Sequence, residues 1–377
     1  MIDDIKLHYD DISIVPETKT TIKSRSECNP YTDDNMLPLF VAPMGSVIDA
    51  DNWKEFYDNG INVVIPRTLP LDERLDILTK FRFWNMRNPF VALSLEETIE
   101  YFLTTTHMWE LEKENSYMRV CIDLANGHME SLLETIKLVK DKYGKHVIIM
   151  AGNIANPETY TLYNEVGCDY VRCSIGTGSA CLTASNTGIY YPPFSLIKEI
   201  YDIKVKCNGD CKIIADGGIK GFRDIQKALI YADYVMIGGL FNKCIESSST
   251  TTYGKSWIKI KDFKFRNYLV DIFRYGKKIK REDYRSAMKL VRNGLLEVNK
   301  VFYGMSTKLA QTKTGHKTNL KTSEGIVKVQ NVEYSLSQWV DNETSYLKSA
   351  MSYTNSRTLD EYKGSKWVID NSITYNK

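Results

Sequence analysis

The chain has 377 residues, enough for one large core or two domains, with 43% hydrophobic and 25% charged residues. Its formal charge of +2 gives no global attraction to nucleic acid or membrane, so neither is expected as a partner. No apolar run approaches membrane-spanning length, and the N-terminus MIDDIKLHYDD carries no basic-then-apolar signal pattern; the expected location is cytoplasmic.

Residues 1–38 read as a polar lead-in. Short apolar runs then recur at 39–43, 62–67, 90–95, 119–125, 147–152, 170–175, 212–217 and 234–239. Each is continuously apolar, as in strands covered on both faces. Helix-period segments follow most of them, for example 51–58, 129–142 and 222–232. Eight such units predict an α/β fold, a single (β/α)8 barrel domain over 1–377. A doubly wound open sheet is the alternative, but the GxGxxG fingerprint after its first strand is missing. Residues 244–300 are long for a loop and read as an inserted subdomain after the eighth strand. The insert is basic: Lys277, Lys278, Lys280, Arg281, Arg285, Lys289 and Arg292 cluster with few acids. That suits a solvated or subunit-contact surface, or the steering of anionic ligands. The eight cysteines lie scattered in strand-like segments, the habit of buried free thiols. Cys207 and Cys211 are close, but no second Cys or His pair accompanies them as a zinc site needs.

Chemistry in a barrel sits on the rim just after the strands, and the unusual residues fall there. Met44-Gly45-Ser46 follows the first run, Arg67 ends the second, Asp123 to Asn126 closes the fourth and Gly152-Asn153 the fifth. The last two runs end in Asp216-Gly217-Gly218 and Gly238-Gly239, whose uncovered backbone N–H groups suit a phosphate. After the sixth comes SIGTGSACLTASNTG (174–188), where Gly, Ser and Thr let backbone and hydroxyl donors approach an anion closely. Cys181 stands in its middle, so the loop reads as a phosphate cradle with a candidate nucleophile a few residues away.

Ordered segments over nearly the whole chain apart from the insert carry a family likeness: YDDISIVP (9–16), KSRSE (23–27), VCIDLANGH (120–128), MAGNI (150–154), GTGSACLT (176–183), IIADGGI (213–219), VMIGG (235–239), VFYGMS (301–306) and SEG (323–325). On these the chain resembles the IMP dehydrogenase/GMP reductase family, whose fold is the (β/α)8 barrel. KSRSE, DLANGH and FYGMS followed by SEG are in the style of the reductases. The strands leave no room for the paired CBS module common in IMP dehydrogenases. The Arg-Tyr pair that activates water in those enzymes is missing from 306–322.

The resemblance implies NADPH-dependent reductive deamination of GMP to IMP and ammonia through a covalent adduct of Cys181 at purine C2. Thr183 and Glu324 match the residues that relay a proton to the departing amine. Ser179, Gly218, Gly239 and Tyr303 match the phosphate site, and Asp216 the ribose acceptor. Gly304, Met305, Ser306 and Gly325 match the purine edge, and Lys321 a basic residue of the reductases. For the dinucleotide, Asp123, Asn153 and Arg67 are rim candidates, and Ser24, Arg25, Ser349 and Tyr353 match reductase cofactor segments. Arg25 suits a 2′-phosphate, or simply faces solvent. The carbonyls of Gly176, Gly178 and Cys181 match a monovalent-cation (K+) site, and a homotetramer is the implied assembly. An NAD-dependent IMP dehydrogenase and a non-catalytic nucleotide-binding regulator are the alternatives.

The chain departs from the family pattern at four places. Gly45 stands where Asp is usual, Pro66 where His often precedes the basic residue, and Ser174 and Thr177 replace Gly and Pro in the cysteine loop.

Overall fold

In the computed structural model, which describes residues 5–83, 89–104, 117–253, 279–313 and 325–370, eight parallel strands close into a barrel. A short strand, β1 (Ile12–Ile14), precedes it. The staves are β2 (Leu39–Val41), β3 (Val64–Ile65), β4 (Phe90–Leu93), β5 (Met118–Asp123), β6 (Val147–Ile154), β7 (Tyr170–Cys173), β8 (Lys212–Asp216) and β9 (Tyr234–Ile237). One stave falls in each of the eight predicted runs. They hydrogen-bond in the order β2-β9-β8-β7-β6-β5-β4-β3. Reciprocal bonds of 3.0 Å, Val41 N to the Asn62 carbonyl and Asn62 N to the Leu39 carbonyl, join β2 to the residues before β3 and close the ring.

Side chains alternate across each strand, so every stave feeds two cores. Phe40, Phe90, Cys121, Met150, Ile214 and Met236 point into the barrel, where the rings of Phe40 and Tyr234 pack at a tilt of 56° with centroids 5.1 Å apart. Val41, Val91, Val120, Ile149, Val171 and Ile213 point outward against the helices. Helices Trp53–Asp58, Glu130–Tyr143 and Phe222–Ala228 lie within a few residues of their predicted bounds. Each fully buried Ile or Leu of this layer contributes about 2 kcal/mol.

The lead-in is less polar in place than it reads. Leu7, Tyr9 and Ile12 are buried, and β1 pairs antiparallel with a C-terminal strand (Trp367–Ile369), Ile12 opposite Ile369. Before that strand the helix Leu336–Tyr353 packs Trp339 against Phe222 and Phe241. Three antiparallel strands stand beside the barrel mouth: β10 (Thr251–Tyr253), β11 (Val298–Tyr303) and β12 (Val327–Asn331). Behind them Ile245, Ile279, Met288, Leu296, Val298 and Val332 form a separate small cluster, to which the helix Tyr284–Arg292 contributes its buried face. Lys277 and Lys278 of the basic segment lie outside the described residues; Arg281, Arg285, Lys289 and Arg292 are exposed.

Candidate active site

The strand ends meet around a cavity of about 600 Å³ at the C-terminal mouth of the barrel. Arg67, Asp123, Asn153, Gly176, Gly178, Ser179, Cys181, Thr183, Asp216, Gly218, Gly239, Gly304, Met305 and Ser306 all line it, so most of the predicted site converges there.

The cysteine loop leaves β7 through Ser174, whose φ of 144° lies in the region that favours glycine. Cys181 N donates to the Gly178 carbonyl at 2.9 Å, closing a tight turn that leaves the thiol half-buried at the cavity wall. Its Sγ lies 3.3 Å from Thr183 Oγ1. Gly176, at φ 77°, must lack a side chain, because a Cβ there would come within 2.7 Å of the Ala184 methyl. Gly325, last residue of the SEG segment, forms an antiparallel bridge with Cys181, and Ile326 N donates to the Ala180 carbonyl at 3.0 Å. Glu324 and Lys321 lie outside the described residues.

Beyond the loop the glycine ends of β8 and β9 form a cradle. A Cβ on Gly239 would come within 3.2 Å of Ser179 Oγ, and one on Gly217 within 2.3 Å of Thr177 Oγ1. Backbone and hydroxyl groups can therefore reach an anion that side chains would exclude. Tyr303 is buried and is not among the cavity-lining residues; its carbonyl accepts from Ser46 Oγ at 3.0 Å.

On the opposite side lies a charged layer that sequence reasoning missed at its centre. Arg172 is an inward-facing residue of β7, buried, and it bridges two carboxylates. Nη1 donates to Asp123 Oδ1 at 2.5 Å and Nε to Asp216 Oδ2 at 2.9 Å. Asn153 Nδ2 donates to the same Asp216 oxygen at 2.7 Å, and Arg67 Nε stands 3.5 Å from Asp123 Oδ2. Burial pushes the Asp123 carboxyl up, but the guanidiniums of Arg172 and Arg67 outweigh it and hold it below the usual carboxylate range. Asp216 presents its acceptors to the cavity with one oxygen already fixed. The period-two pattern was the available signal: Arg172 lies two residues before Ser174, in step with inward-facing Tyr170.

Ser24, Arg25, Ser349 and Tyr353 do not line the cavity. Ser24 caps a short helical turn, and Arg25 Nη1 donates to Ser349 Oγ at 3.3 Å, so these residues form a separate polar group outside the barrel. Three of the four departures from the family pattern also find their reasons. A Cβ at Gly45 would sit 2.4 Å from Thr68 Oγ1, so Thr68 fills the space an aspartate would need. Ser174 and Thr177 hydrogen-bond to each other through their hydroxyls.

A model of the IMP dehydrogenase / GMP reductase domain matches residues 6–295. The chain belongs to that family. Among its curated relatives, a GMP reductase of Buchnera aphidicola is 31% identical over 275 residues, 67% of this chain and 73% of that protein. GMP reductase 1 of Homo sapiens is 29% identical over 258 residues, 63% of this chain and 70% of that protein. A GMP reductase of Caenorhabditis elegans reaches 42% over 123 residues, 32% of this chain and 34% of that one. The family chain is thus an oxidoreductase barrel acting on purine nucleotides. No helix among the described residues is long and apolar enough to cross a membrane.

Proposed function

We propose that this protein is an NADPH-dependent GMP reductase, converting GMP to IMP and ammonia. The observation that carries this reading is the strand-like pairing of Gly325 with Cys181, which sets the residue that follows Glu324 in the sequence against the nucleophile's loop.

In the reaction, the Cys181 sulfur adds its electron pair to purine C2. The C2–N bond then breaks, and the leaving amine takes a proton and departs as ammonia. Thr183, 3.3 Å from the sulfur, and Glu324 are the relay that supplies this proton. Arg67, Asp123 and Asn153 would hold a nicotinamide that would supply a hydride to C2; the C–S bond would then break, its electron pair returning to Cys181 as IMP leaves. Ser179, Gly218 and Gly239 hold the phosphate end, Asp216 accepts from the ribose hydroxyls, and Gly304, Met305, Ser306, Gly325 and Lys321 take the purine edge.

The donor set suits a dinucleotide. Arg67, whose Nε faces Asp123 Oδ2 at 3.5 Å, lines the cavity wall with Asp123 and Asn153, a guanidinium and an amide suited to carboxamide or phosphate oxygens. Ser24, Arg25, Ser349 and Tyr353 are retained as cofactor contacts, and a homotetramer as the assembly. The carbonyls of Gly176, Gly178 and Cys181 are kept as a K+ site, 244–300 as an inserted subdomain, and the cytoplasm as the compartment.

One assay tests the reading: purified protein receives GMP with NADPH, or IMP with NAD, and nicotinamide absorbance is followed. Consumption in the first mixture alone is the expected result. NADH formation in the second alone assigns the dehydrogenase direction, and silence in both with tight nucleotide binding leaves a regulator.

A further inference from the structure

At the edge of the glycine cradle two cations share one anion. Lys220, which lines the cavity two residues after Gly218, places Nζ 2.6 Å from Asp10 Oδ2. Arg223 Nη2 reaches the other oxygen, Oδ1, at 2.5 Å. Lys220 N is fixed by Asp224 Oδ2 at 2.7 Å, so the backbone is held while the side chain, 71% exposed, is free to swing. The Asp10 carboxyl is held below the usual range, first by its hydrogen bond from Lys220, and it stays ionised at neutral pH.

We propose that Lys220 is a specificity-determining residue that reads the charge of the substrate phosphate, with Asp10 as its resting counter-ion. The inference rests on the proposed nucleotide site and deepens it. A phosphate monoester in the cradle carries between one and two negative charges near neutrality, because its second proton leaves near pH 6. Backbone N–H groups bind either form by hydrogen bonds. A mobile ammonium adds attraction that grows with the second charge. Asp10 keeps Arg223 when Lys220 turns to the phosphate, so the exchange strands no anion. Arg223 Nε also stands 3.4 Å from Asp224 Oδ1, so Arg223 stays with the two carboxylates while Lys220 carries its charge to the ligand.

Two substitutions should act in opposite directions. Lys220→Gln removes the cation and should weaken GMP binding about fivefold, appearing in KM rather than kcat. Asp10→Asn removes the competing anion and should tighten GMP binding by about twofold to threefold. Guanosine, which lacks the phosphate, should bind both variants as it binds the parent. In the parent, affinity for GMP should fall between about pH 7 and 5 as the phosphate gains its proton, and Lys220→Gln should flatten that slope. Calorimetric titration reads all of this without turnover. If the parent binds GMP and Lys220→Gln binds it equally well with the same pH slope, the inference is wrong while the nucleotide site stands. Equal losses for GMP and guanosine would also overturn it, since they mark a structural role. A parent that binds no nucleotide sinks the proposed function instead.

Discussion

The hydroxyls of Ser174 and Thr177 hydrogen-bond to each other across the first turn of the cysteine loop, joining the loop's two departures from the family pattern. Ser174 takes a φ of 144°, where a side chain costs about 1 kcal/mol or more that glycine avoids. The Thr177 hydroxyl offsets that cost, and the same hydroxyl fills the space beside Gly217. Thr177→Val should therefore lower stability by about 1 kcal/mol. Ser174→Gly should be nearly neutral, because relief of the backbone balances the lost bond. With glycine at 174, Thr177→Val should cost little, giving a clear coupling in a double-mutant cycle by urea unfolding. Equal costs in both backgrounds would show that the two residues act independently.

Cys181 and Thr183 are in contact through sulfur and hydroxyl, which ties the proposed chemistry to two single-atom tests. Cys181→Ala should reduce turnover of GMP with NADPH by at least about a thousandfold while leaving GMP affinity within a few-fold. Thr183→Val should lower kcat by about a hundredfold, as loss of a proton-relay member does. Nicotinamide absorbance and calorimetry separate the two effects. A Cys181→Ala enzyme with full turnover rules out the covalent route.

The barrel was legible because strands covered on both faces must be apolar throughout, and eight such runs leave few other architectures. The rim was legible for the same reason: glycine, aspartate and asparagine stand out at the ends of apolar runs. Arg172 was hidden because an arginine inside YVRC reads as a break in burial; only its two carboxylate partners, 49 and 44 residues away, make it an interior residue. The pairing of Ile12–Ile14 with the strand near the C-terminus was hidden too, since three residues carry too little pattern to announce a partner so distant in the chain. Ser174 and Thr177 were visible as departures, but their contact needed the turn geometry.

Arg172 holds Asp123 and Asp216 in place at the cavity wall, so its removal leaves one buried and one half-buried carboxylate without their main counter-charge. Arg172→Met should destabilise the protein by about 3–5 kcal/mol at pH 7. Arg172→Lys keeps a charge but cannot bridge both acids with a planar fork, and should fall between. The pH dependence carries a sign. The Asp123 carboxyl titrates lower in the folded chain than the value near 4 of the unfolded one. Its contribution is fully present above about pH 4 and is lost as pH falls through the folded value. The gap between parent and Arg172→Met should accordingly narrow in acid. A gap unchanged from pH 7 to 3 in urea unfolding would place the loss in packing rather than charge.

Glu343 gives the opposite sign. It is fully buried on the helix Leu336–Tyr353 and accepts from Gln226 Nε2 at 3.3 Å, while among the described residues Oε1 of both side chains has no partner. Burial, opposed only by that bond, pushes its carboxyl up to about 8. In the unfolded chain it titrates near 4.3. The folded state thus keeps a proton the unfolded state gives up, and this stability is fully present below about pH 4. It drains as pH rises and is gone once the folded group ionises near 8. Glu343→Gln, neutral and of the same shape, should remove the drain, leaving the variant more stable than the parent at pH 8 by on the order of a few kcal/mol. Glu246, also buried and pushed up to about 7, accepts from Leu336 N, so Glu246→Gln run in parallel separates the two acids. If parent and Glu343→Gln show the same alkaline slope in urea unfolding from pH 5 to 9, Glu343 is ionised and served by groups other than Gln226.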